Sequence, residues 1–269
     1  MTANSLQTEA AGLRRDILEL AHATQSPHVG GALSSVEIMT ALYERVLRLD
    51  PWDTRDIMIL SKGHCCMVLY CALMRKGLVA KPDIYEYFKD EGIFTGHPQR
   101  NAAPGIEVST GALGHGLSIA LGWAKAFRFA GSDRRVYVVM GDGECQEGAV
   151  WEAALFASRL AGDRICVVID ANGLQYQVRP DDICAAEPLA DKWRAFGWHV
   201  TECDGHDADA LSTCLEQQAD GPRVVIARTI KGKGVQDFEN QTISHGAPVT
   251  DARLETALAE LAIAAEGRA

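Results

Sequence analysis

Hydrophobic residues recur along the chain with two different spacings, and each spacing predicts its own kind of element. Between residues 5 and 23 the apolar positions, among them Leu6, Leu13 and Leu20, follow a helical period and predict an amphipathic helix. Elsewhere apolar residues form short continuous runs beside turn residues, which is typical of strands buried on both faces. Such runs occupy residues 57–60, 135–140, 165–169, 198–203 and 224–230.

Segments with helical spacing separate these runs. The pattern Ser34-x-x-Glu37 is typical of a capping box and predicts a helix from Val36 to Leu49, with a turn at 27–33 before it. Alternating strands and helices predict an α/β fold, a doubly wound parallel sheet with helices on both faces. No repeat or linker divides the 269 residues, so we expect a single domain over residues 1–269. Further helices are predicted at about 65–75, 117–129, 149–160, 188–196, 207–219 and 251–265.

Composition and charge exclude several classes of protein. The chain has 26 Lys and Arg against 36 Asp and Glu, and its net charge of −10 disfavours general binding to nucleic acid or anionic membranes. A hydrophobic content of 47% is that of a globular protein. No leader pattern and no apolar run of about 18 residues is present, so we expect a cytoplasmic protein without a membrane span. The eight cysteines have no zinc-site spacing and are expected to be reduced core residues.

Polar residues follow two of the predicted strands directly. The run 135–140 leads into Gly141-Asp142-Gly143, and the run 165–169 leads into Asp170-Ala171-Asn172. Because the carboxyl ends of parallel strands meet at one edge, we expect Asp142 and Asn172 to converge. Their oxygens form a partial cage for Mg²⁺, which takes its remaining ligands from phosphate and water. The alternative, two ordinary turns in which Asp142 only caps a helix, stays open at this point.

The same edge of the sheet suits a diphosphate. Gly141 and Gly143 let the backbone approach phosphate oxygens closely. The helix that begins near Glu147 offers free N–H groups and the positive end of its dipole. A bound diphosphate would therefore complete the coordination of the metal.

Ordered motifs along nearly the whole chain resemble the transketolase family of thiamine diphosphate enzymes. The GDG motif with Asn172 further along is similar to the cofactor signature of that superfamily, in its transketolase form. The other matching segments are SPHVG (26–30), LSKGH (60–64), TGHP (95–98), STGALGHG (109–116), DGHD (204–207), KGKG (231–234) and SHGAP (244–248).

The resemblance implies a role for each matching position. Mg²⁺ would be held by Asp142, the Asn172 side chain and the Leu174 carbonyl. His28 and His97 would face the ketose substrate. Glu147 would lie in the contact between cofactor-binding halves. The implied catalytic residues are His28, His64, His97 and Glu147. The implied thiamine diphosphate-binding residues are His64, Gly111, Ala112, Leu113, Gly114, Asp142, Gly143, Asn172, Lys231 and His245.

The chemistry of histidine agrees with these roles. An imidazole donates or accepts a proton near neutral pH, which is what handling of sugar hydroxyls requires. Four of the eight histidines, at 28, 64, 97 and 245, lie in turns flanked by Gly or Pro. A single histidine of this kind would be interpreted as a loop residue, but four in matching contexts favour a site. His22 and His199 are predicted to be structural, and His206 to orient its loop.

Some positions depart from the family pattern. Gly31 stands where proline is frequent, Cys65 and Cys66 replace smaller residues, and His115 stands where glutamine is common. These departures leave the usual sugar-phosphate preference and the identity of the donor and acceptor sugars open.

The resemblance implies one subunit of a two-subunit transketolase, which transfers a two-carbon ketol unit between sugars or sugar phosphates. A complete transketolase is more than twice as long, so we expect a separate carboxy-terminal subunit with the pyrimidine-binding domain, and two copies of each subunit. One alternative is another split thiamine diphosphate enzyme, either 1-deoxyxylulose-phosphate-synthase-like or the first component of a 2-oxo acid dehydrogenase. The TGHP and SHGAP segments favour transketolase over both. The other alternative is a non-catalytic binding subunit.

Overall fold

The five apolar runs pair as one parallel sheet in the order β1-β2-β3-β5-β4. The computed structural model describes residues 5–90, 92–176, 178–179, 182–184 and 187–266. Register places Ile57 opposite Val136 and Val136 opposite Ile165, so the first three strands begin level with one another. The predicted parallel α/β sheet is therefore confirmed. The strands are β1 (Ile57–Leu60), β2 (Val136–Gly141), β3 (Ile165–Ala171), β4 (His199–Asp204) and β5 (Arg223–Arg228).

Helices cover both faces of the sheet. They are α1 (Leu6–Thr24), α2 (Val29–Ser34), α3 (Val36–Ala41), α4 (Cys66–Arg75), α5 (Lys81–Ile84), α6 (His115–Phe129), α7 (Gly148–Leu160), α8 (Leu189–Ala195), α9 (Ala208–Glu216) and α10 (Asp251–Glu266). Alternate residues of each strand point to opposite faces, so Val136 and Val138 pack with α6–α8, whereas Tyr137 and Val139 pack with α1, α3, α4 and α9. Both faces of β1, β2, β3 and β5 are covered, so these strands are almost wholly apolar and buried. The edge strand β4 is partly exposed, so the prediction that it is buried on both faces is wrong.

The strand order explains which face each helix covers. From β1 to β4 the chain advances across the sheet in one direction, and α6, α7 and α8, which directly precede β2, β3 and β4, lie on one face. From β4 to β5 the chain steps back, and α9 lies on the other face. Right-handed crossovers require this switch of face when the direction reverses.

Near the amino terminus one local prediction is wrong, and another is correct only at its start. The segment predicted as a turn at 27–33 contains helix α2, and the predicted helix from Val36 ends as α3 at Ala41, followed by a π-helical turn over Leu42–Val46. The capping box does not form. The Ser34 hydroxyl donates instead to Asp170 at 2.6 Å, and the Glu37 carboxylate accepts from Arg14 at 2.7 Å. Buried partners from distant parts of the chain thus outcompete the local cap.

Most cysteines are core residues, as predicted, with one exception. Cys65, Cys66, Cys71, Cys145 and Cys166 are buried, whereas Cys203 and Cys214 are half-buried. Cys184 is exposed, so the prediction of a core position is wrong there. Within the described ranges no helix combines the length and apolar character needed to cross a bilayer.

Candidate functional site

A cavity of about 270 Å³ lies at the carboxyl edge of the sheet. The turns after β1, β2, β3 and β5 all contribute to its wall, as the edge rule for parallel sheets requires. The lining residues are Gly31, Lys62, His64, His97, Gly111, Leu113, Gly141, Asp142, Gly143, Glu144, Asn172, Leu174, Gln175, Tyr176, Lys231 and His245.

The structure brings the three predicted metal ligands together in this cavity. Asp142 is 8% exposed, and its two carboxylate oxygens accept the N–H groups of Gly143 at 2.9 Å and Gly173 at 2.8 Å. The Asn172 amide oxygen accepts from the Leu174 N–H at 3.1 Å. Burial is the main reason that the pKa of Asp142 is raised to about 6. A nearby cation would favour the charged carboxylate and offset this burial cost.

The chemistry of these groups fits a Mg²⁺ ion that is shared with a diphosphate. A carboxylate, an amide and a main-chain carbonyl are hard oxygen donors, but they are too few to complete six-fold coordination. Across the described ranges, no group of three or more His, Cys, Asp or Glu could hold a metal by itself. Lys231 adds a cation that is 3% exposed, and burial lowers its pKa. The site therefore combines a partial metal cage with a buried positive charge, as a diphosphate requires.

Asp170 was not predicted to be a site residue, but its side chain orients that of Asn172. Its carboxylate forms a buried ion pair with Lys62 and accepts the Ser34 hydroxyl at 2.6 Å. It also accepts the Asn172 amide N–H at 3.1 Å, so the amide oxygen of Asn172 faces the other way. Burial opposes ionisation of Asp170, but the Lys62 ammonium and the hydroxyls of Ser34 and Thr229 together outweigh it, and the pKa of Asp170 is lowered. The sequence offered one signal for Asp170: Lys62 of the LSKGH segment, once buried, needs a buried counterion.

Glu144 was missed as well. Its carboxylate, 2% exposed, accepts the Ser61 hydroxyl and the backbone N–H groups of Gly114 at 2.9 Å and Gly141 at 3.2 Å. It therefore joins the turn after β1, the start of α6 and the end of β2. Gly116 completes this contact, since a Cβ there would lie 2.2 Å from the Ser61 hydroxyl oxygen.

Three of the predicted site histidines form a cluster. The rings of His28 and His245 are 4.8 Å apart, and the ring of His64 lies 5.7 Å from each. Burial and the positive charge of Lys231 lower the pKa of His245 to about 3, and burial lowers the pKa of His28 and of His64 to about 4. All three imidazoles are therefore neutral at pH 7. Among the described residues no hydrogen-bond partner reaches the buried Nδ1 atom of His28.

The remaining predicted residues divide between the cavity and its surroundings. His97 is exposed and lines the cavity beside Gly111, where a Cβ would lie 2.8 Å from the imidazole. The structure does not place His28, Ala112, Gly114 or Glu147 in the cavity wall, although His28 contacts His64 and His245, which do line it. Ala112 and Glu147 are exposed, and Gly114 donates to Glu144.

Comparison with known proteins decides the family. Residues 7–266 match the family described as "Transketolase, thiamine diphosphate binding domain". The chain belongs to the transketolase family. A relative from Actinobacillus succinogenes, named as a subunit of apulose-4-phosphate transketolase, is 42% identical over 265 residues, with 96% of each chain covered. The 6-deoxy-6-sulfo-D-fructose transketolase subunit SqwG of Clostridium sp. is 38% identical, with 95% of this chain and 96% of that one covered.

Solved transketolases have the same fold over this region. The Leishmania mexicana enzyme superimposes with a TM-score of 0.88 at 27% identity, and the match covers 96% of this chain and 41% of that one. The Campylobacter jejuni enzyme has the same TM-score and identity, with 43% of its chain covered. The chain thus spans about two fifths of those transketolases. The family and fold predicted from the motifs are confirmed.

Proposed function

We propose that this chain is the diphosphate-binding subunit of a two-subunit transketolase. The observation that carries the proposal is the cavity in which Asp142, Asn172, Leu174 and Lys231 meet beside the neutral imidazoles. The names of its relatives support the division into subunits, since two of them that align over nearly their whole length are called transketolase subunits. The reaction is transfer of a two-carbon ketol unit from a ketose to an aldose, or between their phosphates.

Each side chain has a role in holding the cofactor. Asp142, the Asn172 amide oxygen and the Leu174 carbonyl would bind Mg²⁺, and the Gly143 N–H would donate to the diphosphate. Lys231 and His245 would neutralise and bind the diphosphate end. Thiamine diphosphate supplies the carbanion chemistry that breaks and forms the carbon–carbon bond. The segment 111–114 would lie along the cofactor. Gly111 and Leu113 line the cavity, whereas Ala112 and Gly114 lie outside its wall.

The histidines would manage the sugar hydroxyl groups. A neutral imidazole has one donor and one acceptor nitrogen, so it can take a proton from a hydroxyl and return it. His28 packs against His64 and His245 of the cavity wall, and a substrate hydroxyl would supply the partner that its buried Nδ1 atom lacks among the described residues. His64 would lie next to the cofactor, and His97, exposed at the cavity, would meet the sugar.

The proposed partner is a separate protein with the pyrimidine-binding domain, the carboxy-terminal subunit, in an assembly of two copies of each. Large apolar side chains on the outer surface of α6 and α7 support a protein interface here. Phe129 is 83% exposed, Leu155 58% and Phe156 57%, and burial of these side chains against a partner would remove apolar surface from water. Glu147 lies at the start of α7 and would belong to the same contact.

We also propose a cytoplasmic location and sugar or sugar-phosphate substrates.

Titration calorimetry tests the proposed cofactor site. Thiamine diphosphate is titrated into the chain mixed with its partner subunit, once with Mg²⁺ and once with EDTA. We expect binding that requires Mg²⁺, and affinity for thiamine monophosphate that is lower by at least about tenfold. Equal binding of the monophosphate, or binding that EDTA leaves unchanged, would contradict the assignment of a Mg²⁺-diphosphate site.

A further inference from the structure

Three ionisable side chains outside the cavity form a buried chain that ends next to Lys231. Arg14 of α1 donates to the Glu37 carboxylate of α3 at 2.7 Å, and both side chains are almost completely buried. The other oxygen of Glu37 lies 3.0 Å from Nδ1 of His206, in the loop between β4 and α9. Burial opposes the charge on Glu37, but Arg14 and His206 outweigh it and the pKa of Glu37 is lowered.

His206 joins this chain to the backbone beside the cavity. The N–H of Ile230 donates to its Nε2 atom at 2.7 Å, so Nε2 carries the lone pair and Nδ1 carries the proton. The proton on Nδ1 then points to Glu37. This contact reaches a different loop from the one that contains His206, so the prediction that His206 orients its own loop was incomplete.

Arg14 contacts the other end of the turn 230–233, which begins at Ile230. Its Nε atom donates to the carbonyl of Lys233 at 2.8 Å, and the Lys233 N–H closes the turn 230–233 on the Ile230 carbonyl at 3.1 Å. Lys231 is the second residue of this turn. Its ammonium group donates to the Tyr176 carbonyl at 3.2 Å and lies 3.4 Å from Nδ1 of His245. Ile230 is thus linked to the buried Glu37 carboxylate through His206, and Lys233 is linked to it through Arg14.

We propose that Arg14, Glu37 and His206 are positioning residues that fix the turn 230–233 and thereby hold the Lys231 ammonium in the cavity. None of the three lines the cavity, so they act through the turn and not on the ligand. The chain of contacts is built from α1, α3 and the loop after β4, which makes the position of Lys231 depend on helix packing across the fold. The proposal rests on the proposed function only in identifying the diphosphate as the group that Lys231 meets.

Two substitutions of His206 distinguish a positioning role from a general loss of stability. In His206→Gln the amide oxygen can reach the place of Nε2 and accept the Ile230 N–H. In His206→Asn the shorter amide reaches only the place of Nδ1, so contact with Glu37 is kept and the bond to Ile230 is lost. We expect His206→Asn to weaken Mg²⁺-thiamine diphosphate binding by about tenfold, and His206→Gln by less than about threefold.

A second readout needs no cofactor. Reductive methylation of the full chain, followed by mass spectrometry of the peptide that contains Lys231, reports how accessible the ammonium group is. We expect Lys231 to react several-fold faster in His206→Asn than in the wild type, with His206→Gln close to the wild type and Lys125, on the exposed face of α6, unchanged. If the cofactor does not bind at all, the proposed function fails while the lysine measurement still decides this inference.

The inference is overturned if Lys231 reacts at the same rate in both variants and the wild type, or if both variants increase it equally. If His206→Asn does not fold, Arg14→Lys replaces it, since lysine keeps the charge beside Glu37 but lacks the Nε donor to Lys233. The same increase in Lys231 reactivity is then expected, and an unchanged rate overturns the inference.

Discussion

The Asp142 carboxylate accepts a 2.8 Å hydrogen bond from the backbone N–H of Gly173, a residue 31 positions further along the chain. The contact joins the turn after β2 to the turn after β3 and fixes the shape of the proposed metal site. Asn172, the neighbour of Gly173, is held from the other side by Asp170. The two oxygen donors are therefore fixed by separate contacts, and each can be tested separately.

Asp142→Asn removes a negative charge from the proposed Mg²⁺ site while it keeps the size of the side chain. We expect affinity for thiamine diphosphate in Mg²⁺ to fall by at least about tenfold, or about 1.4 kcal/mol. Asn172→Ala should weaken binding in the same direction. Calorimetry measures both, with Asp53→Asn as the control because Asp53 is exposed in a surface turn. Wild-type affinity in both site variants would contradict the metal assignment.

Glu144→Gln tests the second buried carboxylate through stability. The present carboxylate accepts one O–H and two backbone N–H groups, whereas the amide nitrogen of glutamine would face one of these donors. We expect the free energy of unfolding to fall by about 2 kcal/mol in chemical denaturation. Glu152→Gln, on the exposed side of α7, is the control and should change it little. Equal stability of the two variants would show that Glu144 does not need its negative charge.

His28 predicts a dependence of stability on pH. Burial and the neighbouring His64 lower its pKa in the folded chain to about 4, from about 6.5 in an unfolded chain. Between these values the unfolded chain binds more protons at His28, so the free energy of unfolding falls as pH falls through this window. Asp142 acts in the opposite direction, because burial raises its pKa to about 6.

The variant His28→Gln removes the contribution of His28. We expect its melting temperature to fall less between about pH 7 and pH 5 than that of the wild type. Differential scanning calorimetry at constant ionic strength measures the difference, and His199→Gln, at an exposed position of β4, should behave like the wild type. An identical fall for His28→Gln and wild type would refute the pKa assigned to His28.

Substitutions of His97 and His245 are expected to impair the enzyme in different ways. His97 is exposed at the cavity and is proposed to meet the sugar, so His97→Ala should lower kcat by about 10²-fold while cofactor affinity changes little. His245 lies beside the Lys231 ammonium, so His245→Ala should weaken cofactor binding by about tenfold. Ketol-transfer kinetics and calorimetry on the reconstituted enzyme separate the two effects. The opposite pattern would mean that the two roles are exchanged.

Parts of the site that follow a strand could be predicted from the sequence, because strand ends in a parallel sheet have a known place. Asp142 and Asn172 follow apolar runs directly, and they do meet at the predicted edge. The segment 27–33 could not be predicted in the same way. Its glycines and proline are typical of a turn, but the packing of α2 against its neighbours makes it helical.

The contacts that orient the site were not predictable from local pattern. Asp170 binds Lys62 and Ser34, which are 108 and 136 positions away, and His206 binds Glu37 at a separation of 169. No periodicity or spacing relates residues so far apart, because their contact depends on how the layers pack. The capping-box pattern at Ser34 and Glu37 was misleading for the same reason, since both side chains serve these distant partners.

Reconstitution of ketol transfer tests whether this chain is one subunit of a two-subunit transketolase. The chain, its proposed partner with the pyrimidine-binding domain, and their mixture are each assayed with thiamine diphosphate, Mg²⁺, a ketose phosphate donor and an aldose phosphate acceptor. We expect no turnover by either protein alone and turnover by the mixture, with size-exclusion chromatography showing two copies of each protein in the active complex. Full turnover by the isolated chain would contradict the division of the enzyme into two subunits, and a stable but inactive complex with every donor and acceptor tried would contradict its function as a transketolase.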